Sequence, residues 1–457
     1  MIRFFFIALF AMASTAHPAV SNSDGLFRRD VTIPSLDPFY AAPSNLSAYA
    51  PGAIIRSRKP PSALSFYNLP ANLAGAWQLL YRTNGVNGEP LATVTTVMVP
   101  HNANYERLLS YQVEIDAPYS GCFPSYTLQK GGSYVDNISA QYGELWYITA
   151  LQKGWVVSSP DHEGPNAAFG AGILGGHATL DGLRAVIQST SITGVLPTAQ
   201  MAMWGYSGGS QATEFALELH DSYAPELNIT AAALGGLPVN FRNVISNVDK
   251  AIGAGLIPGA SLGLARAYPG LKTLVDNSLY SSNKSQFLRA EDQCVVSTVV
   301  DFAFDDPFTY LKNGSAVLNE PAAAQALQDT VMGQIGTPKV PTYVYHAIND
   351  ELLPFADVVD LYNKYCAAGA NIHFTKEAFG EHIIVALTGA ASALGFLMDR
   401  FDGKALASGC SQKTVLSSAL DPSSISILGQ FVYNDVVSLL GKSIGPSAWV
   451  QKKASKL

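Results

Sequence analysis

The chain has 457 residues, of which 48% are hydrophobic and only 14% are charged, and its formal net charge is −7. A chain of this length can form one large α/β domain with insertions or two to three smaller domains. The low charge and the absence of any stretch rich in Lys and Arg argue against nucleic acid as a partner.

The N-terminus has the pattern of a secretion signal. A basic start at Arg3 leads into an apolar run over residues 4–13 and a small-residue cleavage site at residues 14–16. The run is too short to span a membrane. We predict a signal peptide over residues 1–16 and a secreted protein. A propeptide over residues 17–29 would follow if the dibasic pair Arg28 and Arg29 is cleaved; a solvated pair is the alternative.

After an extended arm over residues 30–65, the pattern alternates between strands and helices. The predicted strands are Ala76–Arg82, Ala92–Val99, Leu108–Ile115, Trp155–Ser159, Gln200–Trp204 and Ala231–Leu234. The predicted helices are Leu145–Leu151, Thr179–Gln188 and Gln211–His220, and the alternation resumes over residues 340–400. Such alternation predicts an α/β fold, with a mostly parallel sheet covered by helices on both faces and an antiparallel start.

The alternation lapses between about residues 238 and 337, which is too long a stretch for a loop in a compact domain. We predict an inserted helical cap, or lid, over residues 240–335; ordinary core helices are the alternative. The cap divides the core into residues 30–239, with the arm, and residues 336–410, and a C-terminal segment follows over residues 411–457.

Two residue types bear on secretion. Five N-x-S/T sequons without an intervening proline are candidate glycosylation sites: Asn45, Asn137, Asn228, Asn283 and Asn313. The four cysteines are Cys122, Cys294, Cys366 and Cys410. None lies in a C-x-x-C pair or beside a His cluster, so we expect no zinc. An even number in a secreted chain predicts two disulfides, and three connectivities are open.

The C-terminus matches a targeting signal for a different compartment. The last three residues, Ser455, Lys456 and Leu457, match a peroxisomal signal. A signal peptide acts during synthesis and would remove the chain from the cytosol first. We therefore expect an extracellular protein, with the peroxisome as the alternative location.

Ser207 has the sequence context of a catalytic nucleophile. It lies in Gly205-Tyr206-Ser207-Gly208-Gly209, between an apolar strand and a helix, which is the setting of a nucleophile elbow. Glycines suit this turn because it is strained and neighbouring backbone passes too close for a Cβ atom. A second G-x-S-x-G pattern centred on Ser261 has no strand before it, so the context favours Ser207.

A serine nucleophile needs a base and an orienting carboxylate, which follow in the order Ser, Asp or Glu, His in α/β-hydrolases. Of the histidines well after Ser207, His346 and His373 lie within predicted strands, whereas His382 follows a strand in a loop. Asp350 ends a strand, where ligand-facing residues collect. A helix N-cap is its alternative role, and Glu351 is the rival acid.

An oxyanion hole needs two donors near the nucleophile. The backbone N–H of Gly208, directly after Ser207, is one candidate. Asp116, at the end of an early strand, is the second. The nearby run Asp161, His162 and Glu163 could suggest a metal site, but at the start of a loop after a strand we interpret it as structural.

The chain resembles the fungal secretory lipase family over nearly its whole mature length. The matching segments are residues 37–40, 110–113, 156–164, 180–182, 205–209, 345–351 and 381–382. The resemblance implies an α/β-hydrolase fold and the triad Ser207, Asp350 and His382. It implies Gly208 and Asp116 at the oxyanion hole, the latter through its backbone and its protonated side chain. It also implies the disulfides Cys122–Cys294 and Cys366–Cys410, a lid over about residues 240–330, and no metal.

We therefore expect a secreted serine ester hydrolase, most simply a triacylglycerol lipase, that needs no cofactor. An acetylesterase acting on a fungal secondary metabolite is one alternative, and a non-catalytic binding protein of the same fold is another. The expected partners are a lipid or small-molecule ester and, transiently, a lipid surface. We expect a monomer.

Overall fold

The computed structural model describes residues 31–66, 69–132, 146–421 and 427. The predicted signal peptide and propeptide, the sequon at Asn137 and the C-terminal tripeptide lie outside these residues. The described residues form a ten-stranded sheet and a separate two-stranded one. The strands are β1 Ile54–Arg58, β2 Ser65–Phe66, β3 Leu69–Pro70, β4 Gly75–Asn84, β5 Pro90–Val99, β6 Asn104–Gln112, β7 Trp155–Pro160, β8 Gln200–Tyr206, β9 Ile229–Gly235, β10 Thr342–Ala347, β11 Ile372–Glu377 and β12 Ser411–Val415.

The large sheet has the order β1-β4-β5-β7-β6-β8-β9-β10-β11-β12. The strands from β7 to β12 in this order pair in parallel. At the other edge, β1, β4 and β5 pair antiparallel. The central strands β7, β8 and β10 are almost entirely buried, because helices cover both faces of a parallel sheet. The predicted mostly parallel sheet with an antiparallel start is confirmed.

Helices pack on both faces of this sheet. The α-helices are α1 Pro124–Thr127, α2 Gly172–Gln188, α3 Thr190–Thr193, α4 Gly208–Tyr223, α5 Phe241–Val248, α6 Leu256–Ala267, α7 Pro269–Ser278, α8 Lys284–Phe287, α9 Val295–Asp301, α10 Pro321–Gln328, α11 Phe355–Ala367, α12 His382–Thr388 and α13 Ala390–Phe401. Residues 146–152 are also helical. Short 3-10 helices span Pro34–Leu36, Pro38–Tyr40, Leu46–Ala48, Ser120–Cys122, Leu288–Asp292, Pro307–Tyr310, Gly314–Asn319 and Ser418–Leu420.

Two apolar clusters sandwich the sheet. One joins it to α2, α4 and α11, and the other joins the opposite face to α12 and α13. Alternate residues of β8 belong to the two clusters, with Met203 in the first and Trp204 in the second. The nucleophile strand is therefore fixed from both sides.

Helix α2 begins seven residues before the predicted start at Thr179. Its early glycines have low helix propensity, but they allow α2 to approach α4 closely. A Cβ atom on Gly172 would lie 2.3 Å from the Phe215 ring, and one on Gly176 would lie 2.8 Å from the Phe215 backbone. Packing against α4 thus overrides the local preference.

The sheet extends beyond the predicted core at both edges. β1 lies within the predicted N-terminal arm and pairs with β4. β12 begins at Ser411, just past the expected core boundary at residue 410, and pairs in parallel with β11. Both are short edge strands, whose polar pattern resembles that of a loop.

Helices α5 to α10 lie between β9 and β10, and all of them except α9 contribute to an apolar cluster that Phe169 and Leu353 join from outside the insertion. Ser261 lies in the middle of α6 rather than at a turn. The boundaries of the cap at residues 240 and 335 remain our proposal. The structure has the two disulfides Cys122–Cys294 and Cys366–Cys410, and the first joins the cap to the core.

Within the described residues, no single helix is both long and apolar enough to cross a membrane. Helices α12 and α13 would pass that test only as a pair, which is bent by 42°. Residues of both helices belong to the buried cluster on one face of the sheet.

Candidate active site

Ser207 occupies a tight turn between β8 and α4, with a left-handed φ of 50° that a non-glycine residue rarely adopts. The flanking glycines are required sterically. A Cβ atom on Gly205 would lie 2.1 Å from the Gly209 carbonyl oxygen, and one on Gly209 would lie 2.0 Å from the Gln112 carbonyl oxygen. The turn thus presents the Ser207 hydroxyl at the carboxyl end of the sheet.

The structure brings Ser207, His382 and Asp350 into one chain of hydrogen bonds. His382 Nε2 lies 3.0 Å from Ser207 Oγ, and His382 Nδ1 lies 2.8 Å from Asp350 Oδ2. The side chains of His382 and Asp350 are almost completely buried, whereas Ser207 is partly exposed. This arrangement can activate a serine hydroxyl, because the imidazole can accept its proton while the carboxylate orients the ring.

Asp350 is held by its own turn after β10. Its Oδ1 accepts hydrogen bonds from the backbone N–H groups of Leu352 at 3.0 Å and Leu353 at 2.8 Å. Burial favours the neutral acid, but the His382 charge and hydrogen bond outweigh it and lower the pKa of Asp350 to about 2. The alternative role as N-cap of α11 does not apply, because Pro354 occupies that position.

Glu351, the rival acid, binds a different part of the histidine. Its Oε2 accepts the backbone N–H of His382 at 2.7 Å, while the Tyr206 hydroxyl donates to the His382 carbonyl oxygen at 2.5 Å. Asp350 therefore contacts the ring and Glu351 the backbone of the same residue. Burial alone would lower the pKa of His382, but the charge and hydrogen bond of Asp350 raise it above its usual value.

Sequence reasoning placed His346 in a strand and gave it no role at the site; it is fully buried in β10. Its Nδ1 accepts the backbone N–H of Leu237 at 3.2 Å, so its proton lies on Nε2, 3.4 Å from Asp350 Oδ2. His346 thus faces the acid rather than the serine. His373 lies elsewhere and hydrogen bonds with Asn371 and Ser411.

Asp116 lies beside the nucleophile in a left-handed conformation with a φ of 47°. Its carboxyl packs against Gly208, since a Cβ atom on Gly208 would lie 1.7 Å from Asp116 Oδ1, and the Gly208 N–H faces it. Its own backbone N–H faces the buried carboxyl of Glu163. Of the two contributions implied for Asp116, the structure places the side chain at Gly208 and directs the backbone N–H toward Glu163.

Two further buried carboxyl groups surround this position, and sequence reasoning assigned neither to the site. Burial raises the pKa of Asp116 to about 6, although the His382 charge and the Gly208 N–H oppose the shift. Burial also raises the pKa of Glu114 to about 8 and that of Glu163 well above its usual range. At neutral pH Glu114 and Glu163 are therefore mainly protonated, whereas Asp116 is close to its pKa and both of its forms are present.

A cavity of about 40 Å³ opens from Ser207 toward the cap. Asp116, Ser207 and Gly208 line its polar end. Its apolar walls are Phe169, Pro238, Phe241, Val244, Ile245, Val248, Leu256, Ile257, Ala260 and Leu353. Most of these wall residues come from α5 and α6, so the insertion shapes the space next to the serine.

The remaining predicted residues lie outside this cavity. Asn45, Asn228 and Asn313 are exposed, and Asn283 is half-buried; their glycosylation stays a prediction. In the described part of the chain, no group of three or more His, Cys, Asp or Glu side chains could hold a metal ion.

The chain is similar to known proteins over most of its length. Residues 129–409 match the family model of the secretory lipases. The chain is 39% identical to Lipase A of Arthroderma benhamiae over 419 residues, 90% of this chain and 89% of that protein. It is 32% identical to a secreted triacylglycerol lipase of Malassezia furfur over 374 residues, 80% of this chain and 97% of that one.

Among solved structures, Candida antarctica lipase A in its closed state matches with a TM-score of 0.82 and 33% identity. The match covers 91% of this chain and 99% of that structure. The match is therefore too long to leave out most of the insertion between β9 and β10.

Proposed function

The chain belongs to the secretory lipase family, and from this premise we propose that it hydrolyses triacylglycerols outside the cell with Ser207 as its nucleophile. It is a carboxylic ester hydrolase with the α/β-hydrolase fold, as predicted. The observation that supports our assignment of Ser207 is the continuous hydrogen-bond chain from Ser207 through His382 to Asp350.

In the proposed reaction, Ser207 Oγ attacks the ester carbonyl carbon while His382 Nε2 takes the hydroxyl proton. The tetrahedral intermediate collapses when the protonated His382 gives that proton to the leaving alcohol oxygen, and an acyl-serine remains. Water then attacks the acyl group with His382 again as the base, which releases the fatty acid and restores Ser207. Asp350 stabilises the imidazolium in both half-reactions.

The negative oxygen of the intermediate needs two donors, and we propose the protonated side chain of Asp116 and the Gly208 N–H, which would turn from the Asp116 carboxyl to the intermediate. The Asp116 backbone N–H faces Glu163, which leaves the carboxyl group of Asp116 to serve. As a carboxylate it could accept a hydrogen bond but not give one. The raised pKa of Asp116 supports this role, because the acid keeps its proton to higher pH.

Asp116 and His382 consequently titrate as a coupled pair. The active form has His382 neutral and Asp116 protonated, so the pair holds one proton. At low pH the pair holds two protons, and kcat/KM should rise with pH as the first is lost. At high pH the pair loses the second proton, and kcat/KM should fall. Glu114, with a pKa of about 8 beside the same two groups, adds a negative charge on the alkaline side.

The variant Asp116→Asn should lose the alkaline fall in activity. The amide oxygen can still accept the Gly208 N–H, and the amide N–H₂ donates at every pH. Above the optimum, the wild-type kcat/KM should fall about tenfold per pH unit while that of the variant stays level. The acid limb should move to lower pH, because the Asp116 charge helps to raise the pKa of His382.

The measurement is kcat/KM for p-nitrophenyl butyrate from pH 4 to pH 10. An alkaline limb unchanged in Asp116→Asn would contradict the proton-dependent donor.

The substrate is proposed from the apolar walls of the cavity and from the family. An acyl chain can follow the apolar side chains of α5 and α6, and the relative from Malassezia furfur is named a triacylglycerol lipase. We also propose contact with a lipid surface, because Phe379 and Ile383 are 51% and 43% exposed on either side of the buried His382. Exposed apolar side chains next to His382 would be transferred favourably from water into an oil phase.

The test is an acyl-chain series of glycerides and p-nitrophenyl esters from acetyl to oleoyl, in solution and as emulsions. We expect higher specific activity on emulsified glycerides with medium or long chains than on acetates. A preference for soluble acetates would contradict the lipase proposal and support acetylester hydrolysis.

Secretion is expected of this family and agrees with the two disulfides. We propose that residues 1–16 are the signal peptide that directs it.

A further inference from the structure

Three consecutive residues after β7 are buried but have no part in the proposed triad. Asp161, His162 and Glu163 are 0%, 4% and 4% exposed. Burying three ionisable side chains in a row is costly unless each has hydrogen-bond partners. Their partners all lie in one other segment, residues 113–125, which we call the Asp116 loop.

The three side chains contact the start, the middle and the end of this loop. His162 Nε2 donates to the carbonyl oxygen of Val113 at 2.8 Å. The backbone N–H groups of Asp116 and Ala117 face the Glu163 carboxyl and lower its pKa, and Glu163 lines the same small cavity as Asp116 and Gly208. Asp161 accepts the backbone N–H of Ser125 at 2.9 Å and its hydroxyl at 2.5 Å.

The proton positions fit these bonds. Burial lowers the pKa of His162 to about 4, so the ring is neutral and carries its proton on Nε2, toward the carbonyl oxygen. Around Glu163, the charged groups are Asp116 and, on α6 of the cap, Arg266. Arg266 donates to the carbonyl oxygen of Asn166 and pairs with Glu291, so it does not neutralise Glu163 directly.

The Asp116 loop needs such support at its centre. Asp116 has a positive φ of 47°, which costs free energy for a residue with a side chain. β6 ends at Gln112, so no sheet ladder holds the loop at this point. Two successive N–H groups directed at one carboxyl fix the orientation of the peptide planes on both sides of the strained residue.

We propose that Glu163 is a positioning residue for ester hydrolysis, which acts by holding the Asp116 carboxyl group against Gly208 through the backbone of Asp116 and Ala117. Asp161 and His162 fix the two ends of the same loop. The proposal rests on the role of Asp116 as an oxyanion donor. It gives the Asp161-His162-Glu163 run a function in transition-state stabilisation rather than in metal binding.

The decisive comparison is Glu163→Met against Glu163→Gln. Methionine fills the volume but offers no oxygen, whereas the glutamine carbonyl oxygen can still accept both N–H groups. With p-nitrophenyl butyrate in solution, Glu163→Met should lower kcat about 100-fold, the scale of one lost oxyanion donor, with little change in KM. Glu163→Gln should stay within about threefold of the wild type.

A purely structural role would not affect oxyanion binding, so a second readout is needed. An alkyl boronic acid forms a tetrahedral anion on the serine and should bind Glu163→Met about 100-fold more weakly. The matched control is Glu218→Met, which removes a buried carboxyl from the N–H groups of Gly333, Ile335 and Gly336. It should lower Tm but leave kcat and boronate affinity within about threefold.

The order of substitutions tests whether Glu163 acts through Asp116. In an Asp116→Ala background, Glu163→Met should cause almost no further loss, because both changes remove the same interaction. Any of three results would overturn the proposal: independent effects of the Asp116→Ala and Glu163→Met substitutions, a loss of kcat in Glu163→Gln equal to that in Glu163→Met, or unchanged boronate affinity in Glu163→Met.

If Glu163→Met is not secreted, Glu163→Asp replaces it. The shorter arm should lower kcat about tenfold, and wild-type kcat would overturn the proposal.

Failure of this inference is distinguishable from failure of the proposed function. A wild-type protein without esterase activity would contradict the function itself. Wild-type activity that is lost in Ser207→Ala but kept in Glu163→Met would contradict only the role of Glu163.

Discussion

Replacing Ser207 with alanine is expected to abolish ester hydrolysis, with kcat falling by about 10⁶-fold. The variant keeps the elbow backbone and removes only Oγ, the atom that lies 3.0 Å from His382 Nε2. No acyl-enzyme can then form. The measurements are turnover of p-nitrophenyl butyrate and covalent labelling by a fluorophosphonate probe, which should also disappear.

Ser261→Ala is the matched control, because Ser261 has the same G-x-S-x-G pattern but lies within helix α6. It should keep wild-type turnover and labelling. Hydrolysis that persists in Ser207→Ala, or that disappears in Ser261→Ala, would refute Ser207 as the nucleophile.

Replacing Asp350 with asparagine is expected to lower kcat by about 10⁴-fold while the protein stays folded. The amide oxygen can still accept the N–H groups of Leu352 and Leu353, so the amide N–H₂ would face His382 Nδ1. The ring must then carry its proton on Nε2, where it cannot accept the serine proton. The measurement is kcat for the same ester beside Tm for stability.

Glu351→Gln is the control for this experiment. Its carbonyl oxygen can still accept the His382 backbone N–H that Glu351 now accepts at 2.7 Å. We expect a loss of at most about tenfold, far below that of Asp350→Asn. Equal losses in the two variants would mean that the acid has been assigned to the wrong carboxylate.

Much of the fold is predictable because its signals are local. An apolar run such as Met201–Trp204, followed by glycines and a helical stretch, defines the elbow without knowledge of distant residues. The starts of helices are less predictable. Helix α2 begins at Gly172 because of its contact with Phe215 on α4, and the sequence around Gly172 does not predict that contact. The edge strands β1 and β12 escaped prediction for a similar reason, because pairing partners rather than composition define them.

For the candidate site, chain order and strand ends led to Ser207, Asp350 and His382, which the fold brings together. The same reasoning noticed His346 and the run that contains Glu163 but gave neither a role at the site, because their contacts are with distant segments. Buried acidic and histidine side chains were a usable signal, because each must be satisfied by a partner. The sequence pattern does not reveal which partner that is, and so the position of the Asp116 N–H beside Glu163 emerges only in three dimensions.

The disulfide between Cys122 and Cys294 has a mechanical consequence. Cys122 belongs to the Asp116 loop, and Cys294 immediately precedes helix α9 in the insertion. The covalent link ties the insertion between β9 and β10 to the loop that contains Asp116. Cys122 and Cys294 cannot separate, so any movement of the insertion relative to the sheet is restricted at this point and less restricted in the parts of the insertion farther from the bond.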